Sequence, residues 1–124
     1  MTPFILKEET FKIIGCCMEV HRQLGRGFSE VIYKDALQRE FRDQSIHFQR
    51  EQAFSVFYKG EQLPHNYYAD FVVFEQVILE LKVASGISEA HIAQTLNYLK
   101  VSGCKVGLVI NFNADRLEYQ RLIL

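Results

Sequence analysis

What most constrains the fold of this chain is a pair of apolar runs, "VILELKV" at 77–83 and "KVGLVINF" at 105–112, separated by one helix-patterned segment. A nearly all-apolar strand such as the second lies inside a sheet covered on both faces. The segment between them predicts a helix over 88–102, with Ser88 as its cap, Ile92, Leu96 and Leu99 as its buried stripe and Gly103 as its stop. A helical crossover from one strand to the next, following a meander, implies a mixed sheet with helices packed on it.

The upstream half supplies that meander and two further helices. Ile13, Cys17, Val20 and Leu24 recur on one helical face and predict a helix over 8–24, which Thr10 could cap in a shorter version. Gly25 and Gly27 break it. A second helix is expected over 29–44, capped by Ser29, with Val31 or Ile32, Ala36, Leu37 and Phe41 inward. After residue 45 the period falls to two: Phe54, Val56 and Tyr58 alternate before a Lys59-Gly60 hairpin turn. "YYADFVVF" is a third strand, a turn at Glu75-Gln76 leads into the "VILELKV" strand, and 116–123 reads as a final short strand.

With 124 residues, 48% of them hydrophobic, the chain suits one domain, 1–124, with a real core. No internal repeat or low-complexity linker divides it. A net charge of −1 argues against a strong non-specific nucleic-acid binder, so any basic surface is local or assisted by a metal or partner. The start lacks a signal-peptide pattern, and no run approaches a membrane span. Cys16, Cys17 and Cys104 are an odd number without zinc-ligand spacing, which suits reduced thiols and a cytoplasmic location.

Three charges interrupt the apolar strands: Asp70, Glu80 and Lys82. Residues i and i+2 of a strand share a face, so Glu80 and Lys82 point together while Leu79, Leu81 and Val83 point into the core. The turn near 75–76 brings Asp70 opposite a position close to 81, within one neighbour of both even if the register slips by one or two. Two carboxylates meeting at a sheet edge suit a hard cation such as Mg²⁺ or Mn²⁺, which polarises a phosphodiester and acidifies a bound water. A solvated Glu80–Lys82 ion pair is the competing structural reading.

Asp70 followed by Glu80-Leu81-Lys82 on adjacent strands resembles the PD-(D/E)XK nuclease superfamily, whose αβββαβ core order is the one expected here. Ala69 stands where that name has proline. "GFSEVIY" reads Gly27-x-x-Glu30-x-x-Tyr33 and resembles the GxxExxY branch; "EVHRQLGRGFSEVIYKDAL", "HIAQTLNYLKVSG" and "VGLVINF" extend the likeness over residues 10–123. The resemblance implies a restriction-endonuclease-like α/β fold and metal-dependent phosphodiester hydrolysis, with DNA expected ahead of RNA. It implies Asp70, Glu80 and Glu30 as metal ligands, the Leu81 carbonyl as a further one, Lys82 steadying water and phosphate, and Gln94 and Tyr98 supporting the site from the following helix.

Other readings stand beside these. Glu30 could serve only the helix dipole, and Gln94 and Tyr98 could be structural hydrogen-bonders. His21 reads as a packing histidine, His91 more as structure than site, His47 and His65 as surface. A non-catalytic nucleic-acid- or protein-binding module that keeps the fold is the alternative function. A homodimer or partner protein would supply the substrate grip that so short a chain lacks.

Overall fold

In a computed structural model describing residues 4–124, the helical crossover joins two parallel strands at the centre of a mixed sheet. The chain begins with helices α1 (Lys7–Leu24) and α2 (Glu30–Asp43). Strand β1 (Phe48–Phe54) follows, then a separate short hairpin of β2 (Phe57–Tyr58) and β3 (Glu61–Gln62). Strands β4 (Tyr67–Val73) and β5 (Val77–Lys82), helix α3 (Glu89–Ser102), and strands β6 (Val106–Asn111) and β7 (Glu118–Ile123) complete the order. The sheet runs β1-β4-β5-β6-β7; β5 and β6 are parallel and the other neighbours antiparallel. This is the expected αβββαβ core with α1 ahead of it and β7 behind.

Both faces of the sheet are covered, which is why β6 is apolar along its whole length. On one face, Ile13 and Cys17 of α1 and Tyr33, Leu37 and Phe41 of α2 pack on Phe71, Leu79, Leu81, Leu108 and Ile110. On the other, α3 lays Leu99 over Ala69, Val72, Ile78 and Val109. Each fully buried Leu, Ile or Phe contributes about 1.5–3 kcal/mol of transfer free energy. The close fit of α3 depends on Gly107, where a Cβ would lie 3.1 Å from the Thr95 methyl.

Several local expectations need correction. α1 is not capped by Thr10: Leu6 precedes it in the left-handed region, and the buried Thr10 hydroxyl donates to the Leu6 and Lys7 carbonyls. Threonine within a helix can back-bond in this way and so gives a false cap signal. Ser29 does precede α2 but makes no side-chain cap bond. The inward stripe of α2 is Tyr33, Leu37 and Phe41 at strict i, i+4, i+8 spacing, which leaves Val31 and Ile32 exposed. In α3 the buried residues are Thr95 and Leu99, with Ile92 and Leu96 half-buried. Ser88 caps α3 as expected, in a reciprocal box with His91, and Gly103 ends it at φ 77°. β1 begins at Phe48, earlier than the hydrophobic alternation suggests, because this sheet-edge strand carries polar Arg50 and Gln52 at half-buried positions.

Candidate active site

The antiparallel ladder between β4 and β5 has Phe71↔Leu79 as its last Cα partners. Beyond them the two carboxylates take over as acceptors. Asp70 N–H donates to Glu80 Oε2 at 2.9 Å, and Leu81 N–H donates to Asp70 Oδ2 at 2.8 Å. Each carboxylate is therefore fixed by the other strand's backbone, and the register places Asp70 at the level of Glu80, one residue from the expected position 81. Lys82 N–H and C=O face β6, since its carbonyl accepts from Phe112. Leu81 thus turns both its N–H and its carbonyl toward β4 and the carboxylates.

The backbone is irregular at this level of the sheet. Strict alternation would put Ala69, Phe71 and Val73 on one face. Instead Tyr67 and Ala69 pack under α3, while Phe71 and Val73 pack under α1 and α2. The phase slips at Asp70. Across the ladder, Glu51 of β1 stands between the partners Arg50↔Phe71 and Gln52↔Ala69 with φ of 54°, a left-handed conformation strained for a side chain larger than glycine. Backbone strain of this kind clusters where a structure is held for function.

Glu80 is only 4% exposed. Burial first, and then the Asp70 charge, push its carboxyl up to about 7, against the opposing pull of the Asp70 N–H, Lys82 and Tyr67. Tyr67 O–H donates to Glu80 Oε2 at 3.2 Å, and its ring stacks on that of Tyr98 with centroids 3.3 Å apart. Burial and the Glu80 charge raise both tyrosine pKa values, which keeps them protonated donors. Lys82 Nζ donates to Gln94 Oε1 at 3.5 Å. The α3 residues singled out in the sequence thus split: Gln94 and Tyr98 meet the site, while His91 Nδ1 accepts from Ser88 N–H and serves the helix cap. His21 bonds the Ala114 carbonyl at 2.8 Å and sits by Phe112, a structural role.

Glu30 reaches the cluster through Lys34, one helical turn on. Lys34 Nζ lies 2.9 Å from Asp70 Oδ1, 2.8 Å from Glu51 Oε1 and 3.4 Å from Glu30 Oε2. Burial opposes charge on this amine, and the hydrogen bonds it donates to Asp70 and Glu51 outweigh it, so its pKa is raised. Tyr33 does not enter the cluster. Its hydroxyl donates to the Gly25 carbonyl at 2.6 Å and accepts from Phe28 N–H, tying the glycine loop to the start of α2 and so fixing where Glu30 stands.

The chemistry of the donors fits a hard divalent cation. Two carboxylates share a buried corner at the expense of mutual repulsion, and a divalent ion between them would relieve it. Mg²⁺ commonly uses one or two carboxylates and completes its shell with water and phosphate. Among the described residues no group of three or more His, Cys, Asp or Glu is arranged to hold a metal. Asp70 and Glu80, with the Leu81 carbonyl on the same strand edge, are the donors that remain. Glu30 pairs with Lys34, which in turn bonds Asp70.

Lys34, Glu51 and Tyr67 were not singled out by sequence reasoning. Lys34 had one available signal, its i+4 spacing from Glu30. Glu51 had none, because its position depends on the left-handed backbone that turns it.

A family model described as PD-(D/E)XK nuclease superfamily matches residues 7–122. No curated protein matches the chain. Among solved structures, the crystal structure of SSO0001 is similar with a TM-score of 0.50 at 13% identity, over 93% of this chain and 76% of that one. At that identity the likeness concerns the fold.

Proposed function

Since the chain belongs to the PD-(D/E)XK nuclease superfamily, we propose that it is a divalent-metal-dependent nuclease that hydrolyses phosphodiester bonds, in DNA ahead of RNA, as one domain over 1–124. The Gly27-x-x-Glu30-x-x-Tyr33 segment supports assignment to the GxxExxY branch. The observation that carries the activity is the meeting of Asp70 and Glu80 through each other's strand backbone, with Lys82 on the same strand. Three free thiols suit a cytoplasmic setting, and among the described residues no helix is long and apolar enough to cross a membrane.

Asp70, Glu80 and the Leu81 carbonyl would hold Mg²⁺ or Mn²⁺. Such an ion, when bound, polarises the phosphoryl oxygen and acidifies a water. The protein's own groups do the rest. Asp70 N–H and Tyr67 O–H fix Glu80, and Leu81 N–H fixes Asp70, so neither carboxylate need reorganise. Lys82, steadied by Gln94, places positive charge where the attacked phosphate gathers negative charge. Tyr98 backs Tyr67 through its ring. Glu30 acts at one remove, through Lys34.

The test is cleavage of plasmid, single-stranded DNA and RNA by purified protein with Mg²⁺ or Mn²⁺. Wild type should cut; Glu80→Ala and Lys82→Ala should lose at least about a hundredfold, the scale of losing one aligned charge-stabilising group. Cleavage that survives in both variants overturns the assignment. Nucleic-acid binding without cleavage or Mn²⁺ binding would instead favour a non-catalytic module on this fold.

A further inference from the structure

Lys34 enters the reading above only as the link to Glu30, yet it is an enclosed cation at the centre of the site. Its side chain is 11% exposed, and oxygens of Asp70, Glu51 and Glu30 lie 2.9, 2.8 and 3.4 Å from its nitrogen. An exposed surface ion pair has a mobile head group and contributes little. Here α2, β1 and β4 each contribute a carboxylate to one ammonium. Glu51 does so from a residue held at φ of 54° within a strand. Asp70 divides its two oxygens, Oδ1 to Lys34 and Oδ2 to the Leu81 N–H on the Glu80 side.

The charges point the same way. Glu30, Glu51, Asp70 and Glu80 are four carboxylates, and Lys34 and Lys82 two ammoniums. Fully ionised, they leave a formal −2, the charge that one divalent ion cancels. Two-metal phosphodiesterases instead place ions about 3.5–4 Å apart across shared carboxylates.

We propose that Lys34 holds the second cation position of this site: its ammonium takes the Glu30–Glu51 side of Asp70, and the Asp70–Glu80 side takes a single divalent ion. The inference rests on the metal reading of Asp70 and Glu80. Lys34 is then a positioning residue. It neutralises and aims Asp70, and by filling the position it excludes a second ion. An ammonium supplies charge without the acidified water a metal would bring.

The experiment counts Mn²⁺ on metal-free protein by electron paramagnetic resonance and calorimetry, independently of cleavage. Wild type and Lys34→Arg should each bind one ion. Lys34→Gln, with three carboxylates left unbalanced, should bind two, and adding Glu51→Gln should return the count to one. Two ions on wild type, or one on folded Lys34→Gln, overturns the inference while leaving the Asp70–Glu80 reading intact. No ion on wild type removes that reading, and the inference with it. Because Lys34→Gln can fail to fold, acetic anhydride footprinting of wild type gives a second check. Lys34 should stay protected when Mn²⁺ saturates; acetylation unmasked by Mn²⁺ would mean that the ion displaces the ammonium, and would overturn the proposal.

Discussion

Glu80 is the residue at which folding and the proposed ion binding meet. Its carboxyl, pushed up to about 7 by burial and by the Asp70 charge, has an ordinary value of 4.5. Between those values the unfolded chain has lost the proton and the folded chain keeps it, so stability falls as pH rises through that window. The metal-free protein should therefore melt at progressively lower temperature from about pH 4.5 to about pH 7; Glu80→Gln should flatten this part of the profile, and an unchanged slope in thermal melts of that variant would refute the cause. Mn²⁺ binding should expel the same proton. Calorimetry near pH 6, in two buffers of different ionisation enthalpy, should show proton release that Glu80→Gln lacks. Asp70, Glu80 and Lys82 were legible in the sequence because strand alternation and hairpin arithmetic are local rules. Lys34 and Glu51 join them from segments whose relation is set only by packing, Glu51 breaks the local rule outright through its positive φ, and Tyr67, on β4 itself, reaches Glu80 in a strand whose alternation slips at Asp70.

At the scale of elements, α3 is fitted against β6 where Gly107 leaves room. Alanine in a strand ordinarily gains over glycine through lower unfolded-state entropy. At Gly107 it meets the Thr95 methyl at 3.1 Å, and Thr95 is not free to turn because its hydroxyl bonds the His91 carbonyl at 2.9 Å. Gly107→Ala should thus destabilise by about 1–3 kcal/mol in urea unfolding and weaken cleavage, since the same helix carries Gln94 and Tyr98; a stabilised variant would refute the packing. The ends of α3 were readable because Ser88 and Gly103 act through their immediate neighbours. The start of α1 was not, because Thr10 satisfies carbonyls behind it instead of amides ahead. β1 was only half visible, because an edge strand does not need apolar side chains along its whole length.

At the scale of the whole molecule, a net charge of −1 limits how many phosphates the surface can neutralise. Binding of a DNA duplex to cleavage-impaired Glu80→Gln should weaken only gently with salt, with a log–log slope of about −2 to −3, matching about three phosphates. Fluorescence anisotropy across a salt series measures it, and a slope near −6 would reveal a basic surface that composition hides. The order β1-β4-β5-β6-β7 has one more consequence, for biosynthesis. β5, which carries Glu80 and Lys82, is the middle strand, and the neighbour that closes its second edge is made only after the whole of α3. A chain emerging from the ribosome therefore holds Glu30, Glu51, Asp70 and Glu80 before it can hold them still, and for that interval its most apolar hairpin has an open edge. Chains halted at Ser102 should accumulate as aggregates, and the proposed nuclease activity should first appear only when β6 has cleared the exit tunnel.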